Sequence, residues 1–129
     1  MALVVLDASA LIALLDPNDA LHAAARLEFN QFAGEDLAVP ASALAETLVA
    51  PARSGKLEEA KRQIQALDLR IADQGEAVAV EAARLRSRHR RLRLPDALVL
   101  ATAEVLGAKV LLTGDANWKA IAKRVRVIA

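Results

Sequence analysis

Five short segments rich in aliphatic and β-branched residues alternate with longer stretches of helical periodicity. They are Leu3 to Leu6, Asp36 to Val39, Leu67 to Ile71, Lys109 to Thr113 and Val125 to Ile128. Such alternation is typical of strands joined by helical crossovers, which pair in parallel. The first segment and the centre of the fourth are continuously apolar, as strands buried on both faces are. The sequence therefore predicts an α/β fold whose parallel sheet carries helices on both faces.

The length and composition of the chain indicate one compact domain over residues 1–129. Hydrophobic residues make up 55% of the 129 residues and charged residues 26%, which excludes a disordered chain and allows a substantial core. The formal net charge is only +1, so no overall field attracts nucleic acid or a membrane. Any electrostatic contact with a polyanion has to be local.

Several classes of site and location are excluded by what the sequence lacks. No stretch reaches the roughly 18 uncharged residues of a membrane span, and no basic segment precedes the first apolar run, so we expect a cytoplasmic protein. The chain has no cysteine, and its two histidines, His22 and His89, are far apart in sequence. A bound metal would therefore have oxygen ligands, which favours magnesium or manganese.

Four acidic residues stand in unusually apolar surroundings. They are Asp7, Glu46, Asp96 and Asp115. Asp7 directly follows the first predicted strand and Asp115 closely follows the fourth, where open α/β sheets form ligand crevices. Each acid also has a structural explanation: Asp7 and Asp115 as helix caps, Asp96 as an acid in a first helical turn, and Glu46 as a surface residue. Their order and spacing, rather than any one of them, favour a metal site.

Four segments together resemble the PIN-domain nucleases, and more narrowly the VapC-type toxins of toxin-antitoxin pairs. The segments are Val5 to Leu11, Ala41 to Glu46, Leu94 to Ala103 and Leu111 to Trp118. Each is degenerate, but they occur in the family's order and span nearly the whole chain. The resemblance implies a PIN-like doubly wound α/β/α sandwich with a central, mostly parallel sheet.

The resemblance also implies a function and a set of site residues. It implies a toxin that is an endoribonuclease dependent on Mg²⁺ or Mn²⁺, which forms a homodimer and is neutralised by a cognate antitoxin. Asp7 and Asp96 are expected to be the principal metal ligands, and Glu46 and Asp115 to complete the catalytic site. Ser9, Thr113 and Asn117 are candidates for orienting these carboxylates through hydroxyl and amide groups.

Six arginines occupy ten residues immediately before Asp96. They are Arg84, Arg86, Arg88, Arg90, Arg91 and Arg93. Such a cluster can bind the phosphates of RNA, but a solvated helix end is an equally good explanation. If the segment is helical, Arg88 and Arg91 share one side with Arg84, and we predict that Arg88 and Arg91 contact RNA. His89 is interpreted as a packing residue.

Three other functions are compatible with parts of the sequence. A haloacid-dehalogenase-type phosphotransferase needs a second Asp two residues after the first, and Ser9 stands there. A receiver-like phosphoacceptor needs an Asp after its third strand and a Lys after its last, and the last predicted strand here is followed by Ala129. A non-catalytic module that binds RNA through the arginines stays open. Nuclease assays with and without magnesium separate it from an enzyme.

Overall fold

Five strands form one sheet in the computed structural model, which describes residues 1–129. They are β1 (Leu3–Leu6), β2 (Asp36–Pro40), β3 (Arg70–Ala72), β4 (Val110–Thr113) and β5 (Val125–Val127). The order across the sheet is β3-β2-β1-β4-β5, and every neighbouring pair is parallel. The predicted parallel sheet is therefore confirmed.

Six α-helices and one short 3₁₀ helix connect the strands. They are α1 (Ala8–Leu15), α2 (His22–Gln31), α3 (Ala41–Arg53), α4 (Leu57–Gln65), α5 (Glu76–Arg88), α6 (Leu94–Val105) and the 3₁₀ helix Ala116–Ala120. No helix here has the length and apolar character that crossing a bilayer requires.

The central strand β1 is buried on both faces, as its apolar sequence predicts. Val5 belongs to a core of 18 buried residues that includes side chains of α3, α5 and α6. Val4 and Leu6 point to the opposite face, into a core of eight buried residues that includes side chains of α1 and α2. Successive strand residues alternate between faces, so the two cores need apolar residues at consecutive positions. This arrangement confirms the α/β/α sandwich.

Two predicted boundaries are wrong by a few residues. The third strand begins at Arg70 rather than Leu67, because α4 is followed by a turn in which Asp68 has φ +56°. The spacing of Leu21, Ala25 and Phe29 predicts a helix that begins near Pro17, but helix α2 begins at His22. The Asp16 and Asp19 carboxylates accept 2.9 Å and 2.8 Å hydrogen bonds from backbone N–H groups two residues on, and such local bonds favour turns over helix.

The arginine-rich segment is not helical throughout, so the predicted common helical side for Arg88 and Arg91 is wrong. Helix α5 ends at Arg88, and His89 is its C-cap residue. A turn follows, in which the Leu92 N–H donates to the His89 carbonyl at 3.0 Å. The Arg86 Nε donates back to the Leu92 carbonyl at 3.1 Å and braces this turn. The arginines on either side of His89 therefore face different parts of the surface.

Candidate functional site

The sheet has a topological switch point between β1 and β4. From β1 the chain builds β2 and β3 on one side, and then returns to build β4 and β5 on the other. Connections on the two sides diverge at such a point, and they leave a crevice beyond the carboxyl ends of the two strands. Asp7 directly follows β1, and Asp115 lies two residues after β4. Both carboxylates therefore stand at the mouth of this crevice.

Two helices bring the remaining predicted acids to the same place. Glu46 lies in α3, and Asp96 lies in the first turn of α6 next to Pro95. Together the four acids line one cavity of about 130 Å³, here called the acid cavity. Its lining residues are Asp7, Ala8, Ser9, Glu46, Asp96, Val99, Asp115 and Trp118. Carboxylates that are distant in sequence thus converge on one small space.

Asp7 is the most buried of these acids, with 5% of its surface exposed. Its Oδ1 accepts 2.8 Å hydrogen bonds from the Ala10 N–H and the Ser9 hydroxyl. Its Oδ2 accepts a 2.6 Å bond from the hydroxyl of Thr113, which is itself completely buried. The carboxylate therefore caps α1, as the structural explanation proposed, and at the same time faces the acid cavity.

Hydrogen bonds join the segment Thr113–Asp115 to the residues that follow β1. The Gly114 N–H donates to Ser9 Oγ at 2.9 Å, and the Asp115 N–H donates to Thr113 Oγ1 at 3.0 Å. A β-carbon at position 114 would lie 2.9 Å from Leu21 Cδ1 and 3.3 Å from Ser9 Oγ, so only glycine fits without a shift. The Asp115 carboxylate accepts a 2.9 Å bond from the Asn117 N–H and so caps the 3₁₀ helix.

The three predicted orienting residues have different surroundings. Ser9 and Thr113 donate to the Asp7 carboxylate, which is the geometry expected of groups that fix the direction of a ligand. Asn117 contacts Asp115 only through its backbone N–H, and its exposed side chain lines a groove outside the acid cavity. The structure therefore places Ser9 and Thr113, but not the Asn117 amide, against a predicted metal ligand.

The pKa values of two acids are raised above the ordinary 3.8. For Asp7 burial is the main cause; the hydrogen bonds from Thr113, Ala10 and Ser9 oppose it, and the charge of Asp96 adds to it. For Asp96 burial again raises the pKa most, Arg93 opposes it, and Asp115 adds to it. Both shifts indicate that ionised carboxylates in the acid cavity are less stable than in water, and a bound cation would offset this destabilisation.

The chemistry of the donor set fits a hard divalent cation. The acid cavity offers carboxylate oxygens from four residues, which are the ligands that Mg²⁺ and Mn²⁺ prefer. No group of three or more of these side chains is already close enough to form a ready-made metal site. The charge of Asp96 raises the pKa of Asp7, and that of Asp115 raises the pKa of Asp96, so these carboxylates are near enough to interact. Asp7, Glu46, Asp96 and Asp115 are the residues that can hold an ion.

Sequence reasoning missed Gln74, which joins the two helices that carry Glu46 and Asp96. Its Oε1 accepts from the Ser42 N–H of α3 at 2.9 Å, and its Nε2 donates to the Ser42 hydroxyl at 2.9 Å. The same Nε2 donates to the Thr102 hydroxyl of α6 at 3.1 Å. Ser42 stands one helical turn before Glu46 on the same face of α3. A Gln after a weak strand carries no signal in sequence, because its partners are about 30 residues away.

A larger groove of about 530 Å³, here called the arginine groove, adjoins the acid cavity. It is lined by His89, Arg90, Arg91, Leu92, Asp96, Asp115, Asn117, Trp118, Ala120 and Ile121. Of the two predicted RNA-binding residues, Arg91 lies in this groove and Arg88 does not. The Arg88 guanidinium instead lies 3.7 Å from the Glu81 carboxylate on α5. His89, interpreted as a packing residue, is half-buried at the edge of the groove.

Comparisons with known proteins agree with this architecture. The family model of the PIN domain matches residues 4–124. No curated protein sequence matches the chain at a significant level. Among solved structures, the fold is similar to a toxin-antitoxin complex from Klebsiella pneumoniae, with a TM-score of 0.81, 22% identity and 98% of both chains covered.

Two further structures share the fold. VapBC2 from Rickettsia felis, bound to a DNA fragment from its promoter, has a TM-score of 0.81 at 16% identity, with 98% of this chain and 99% of that chain covered. VapC20 from Mycobacterium tuberculosis, a toxin that cleaves the sarcin-ricin loop, has a TM-score of 0.77 at 18% identity, with 92% and 95% covered. At these identities the likeness establishes the fold.

Proposed function

Because this chain belongs to the PIN domain family, we propose that it is a metal-dependent endoribonuclease that acts as the cytoplasmic toxin of a toxin-antitoxin pair. Residues 1–129 would form its single nuclease domain. One observation carries the proposal: acids from four separate segments line one cavity at the switch point of a parallel sheet. Helix caps and surface acids do not need to converge in this way.

In this proposal Asp7 and Asp96 are the principal ligands of Mg²⁺ or Mn²⁺, and Glu46 and Asp115 complete the site. A divalent ion there would activate a water molecule and offset the charge that develops on the phosphate. The chain's own contribution is to fix the ligands in place. Ser9, Thr113 and the Ala10 N–H hold the Asp7 carboxylate from three directions, which leaves it little freedom to rotate. Such fixed groups need no reorganisation when substrate arrives.

The proposed partners are a cognate antitoxin and a second copy of the chain. Support comes from the shared fold with toxin-antitoxin complexes and from large apolar side chains that the helices leave exposed. Val80, Leu94 and Val105 have 45%, 49% and 42% of their surface exposed. Single exposed apolar side chains are normal on a monomer, so the shared fold is the stronger support for these partners. Light scattering during size-exclusion chromatography measures the mass in solution and so tests the homodimer.

Cleavage of labelled RNA by the purified protein tests the nuclease proposal. Wild type is expected to cleave in magnesium and to stop in chelator, and Asp96→Asn to be inactive in both. Asp73→Asn is the matched control, because Asp73 is exposed and lies outside the acid cavity. Identical purification of all variants excludes a contaminating nuclease as the source of cleavage.

The possible results separate the proposal from its alternative. Activity that needs magnesium, survives Asp73→Asn and disappears in Asp96→Asn supports the nuclease. RNA binding without cleavage under every metal condition favours the non-catalytic module. Full activity of Asp96→Asn would overturn the assignment of the acid cavity. Induced expression in bacteria adds the test of toxicity, since wild type should arrest growth and Asp96→Asn should not.

A further inference from the structure

We propose that the arginine groove binds a phosphate of the RNA strand adjacent to the one that is cleaved, with Arg90 and Arg91 as its cationic contacts. This inference rests on the proposed nuclease function and specifies how its substrate is held. It also replaces the predicted pair Arg88 and Arg91 by a pair that the structure places side by side in one groove.

The position and size of the groove fit an extension of the substrate site. Asp96, Asp115 and Trp118 line both the acid cavity and the arginine groove, so the two spaces are neighbours. The acid cavity, at about 130 Å³, is smaller than the roughly 300–1,000 Å³ of pockets that enclose a small-molecule ligand, whereas the groove, at about 530 Å³, lies within that range. Nucleotides next to the cleaved bond therefore have room in the groove and not in the cavity.

Arg90 and Arg91 are uncommitted, unlike most of the cluster. Both are exposed, and neither forms an ion pair or a hydrogen bond within the chain. Arg84 and Arg88 each lie 3.7 Å from the Glu81 carboxylate. Arg86 donates to the Leu92 carbonyl, and the charge of Arg93 acts on Asp96. Three of the six arginines therefore have partners within the chain, Arg93 acts on Asp96 through its charge alone, and Arg90 and Arg91 are free in the groove.

The charge distribution indicates why cationic side chains are needed beside the acid cavity. Four carboxylates repel a polyanion, and the net charge of +1 supplies no general attraction. Arginines at the edge of the acid cavity offset that repulsion locally, and a guanidinium matches phosphate oxygens in geometry as well as in charge. The braced turn between His89 and Leu92 fixes their backbone before RNA binds, so only side-chain freedom is lost on binding.

The groove is suited to a nucleic-acid backbone rather than to stacked bases. Its only aromatic side chain apart from His89 is Trp118, which is 4% exposed and so forms a wall rather than a platform. Hydrogen bonding to a base or ribose is available from the exposed Asn117 amide. We therefore expect contacts in this groove to depend on phosphate more than on base identity.

Fluorescence polarisation with a labelled single-stranded RNA of mixed sequence, in chelator over a series of salt concentrations, tests the inference. Arg90→Gln/Arg91→Gln is compared with Arg84→Gln/Arg88→Gln, which removes the same charge from the ion-paired part of the cluster. At about 0.7 per neutralised phosphate on single strands, loss of this phosphate contact should reduce the slope of log affinity against log salt by about 0.7. Between 50 and 200 mM salt the loss of affinity should then shrink by a factor of about 2.6. The control pair should leave the slope unchanged.

Each outcome decides for or against the groove. Recovery of the slope in Arg90→Lys/Arg91→Lys supports it, because charge is restored on an exposed turn. Equal slopes for the two Gln pairs, or wild type that binds no RNA, would overturn it. Cleavage in magnesium is measured separately. A changed slope without cleavage contradicts only the nuclease, and cleavage with an unchanged slope contradicts only the groove.

Discussion

The Ala10 N–H donates a 2.8 Å hydrogen bond to the carboxylate of Asp7, so one side chain both caps helix α1 and lines the acid cavity. The two roles require different properties of the side chain. A cap needs an oxygen that accepts a hydrogen bond, whereas a metal ligand needs a negative charge. Substitutions at this position can therefore separate stability from activity.

Asp7→Asn and Asp7→Ala are both expected to abolish magnesium-dependent cleavage, but to differ in stability. Asn keeps an oxygen acceptor for the Ala10 N–H, whereas Ala leaves that donor and the buried Thr113 hydroxyl without a partner. The free energy of unfolding of Asp7→Ala should be lower than that of Asp7→Asn by about 2 kcal/mol. Urea unfolding in chelator measures the difference. Equal values would show that the cap contributes nothing.

Asp96→Asn should be more stable than wild type in chelator at neutral pH. Burial and Asp115 raise the folded-state pKa of Asp96 above 3.8, so the native wild type binds more protons than the unfolded chain between these two values. Its free energy of unfolding therefore rises as the pH falls through the raised pKa, and the advantage of Asp96→Asn shrinks. Urea unfolding of both proteins over a pH series tests this. A difference that does not change with pH would contradict it.

Magnesium should stabilise wild type and do less for Asp96→Asn. An ion that binds only the native state at 100 times its dissociation constant adds about 2.7 kcal/mol to the free energy of unfolding. Thermal melts in chelator and in magnesium measure the gain for each protein. Asp73→Asn, which leaves the acid cavity intact, should gain as much as wild type. An equal gain for Asp96→Asn would place the ion elsewhere.

Gly114→Ala should reduce both stability and cleavage. The added carbon meets Leu21 Cδ1 at 2.9 Å, where a flexible side-chain end can move aside, and Ser9 Oγ at 3.3 Å, which is hydrogen-bonded to Asp7. The cost should therefore lie near the lower end of the about 1–3 kcal/mol of overpacking. Adding Leu21→Ala relieves the first contact but leaves Ser9 displaced from Asp7, so cleavage should stay low. Gly75→Ala is the control, since a β-carbon there has no neighbour within 4 Å. Full activity of Gly114→Ala would show that Ser9 does not position Asp7.

Gln74→Ala should lower the free energy of unfolding by about 1–3 kcal/mol, because it leaves polar groups of Ser42 and Thr102 without their partner. The exposed Gln65 of α4 provides a control, and Gln65→Ala should change stability little. Urea unfolding compares the two variants. If they are equally stable, the contacts of Gln74 do not hold α3 and α6 together.

Much of the sheet could be predicted because its signals are local. The apolar run Leu3 to Leu6 and the acid that follows it are adjacent in sequence, and parallel strands bring their carboxyl ends to one edge. That rule alone places Asp7 near Asp115. The positions of Glu46 and Asp96 in the site could be predicted only from the family resemblance, because nothing near either residue in sequence indicates which face of its helix points to the crevice.

Other features depend on contacts that the sequence does not display. Strand β3 begins after a turn at Asp68, and although Asp tolerates a positive φ better than most residues, the apolar residues around it outweighed that weak cue. The division of the arginine cluster follows from the exact end of α5 and from Glu81, which attracts Arg84 and Arg88. Helix ends are set by competing hydrogen bonds that differ little in energy. A prediction from hydrophobic periodicity does not detect them and so continues the helix too far.

The pairing of β1 with β4 also bears on how the chain is made. Thr113, whose hydroxyl completes the surroundings of the Asp7 carboxylate, is the 106th residue that the ribosome adds after Asp7. Until β4 emerges, β1 can pair only with β2, and the crevice between β1 and β4 does not exist. We expect the nascent chain to stay harmless while the intervening codons are translated. On the proposed nuclease function, activity would therefore arise only after the codons up to Thr113 have been translated.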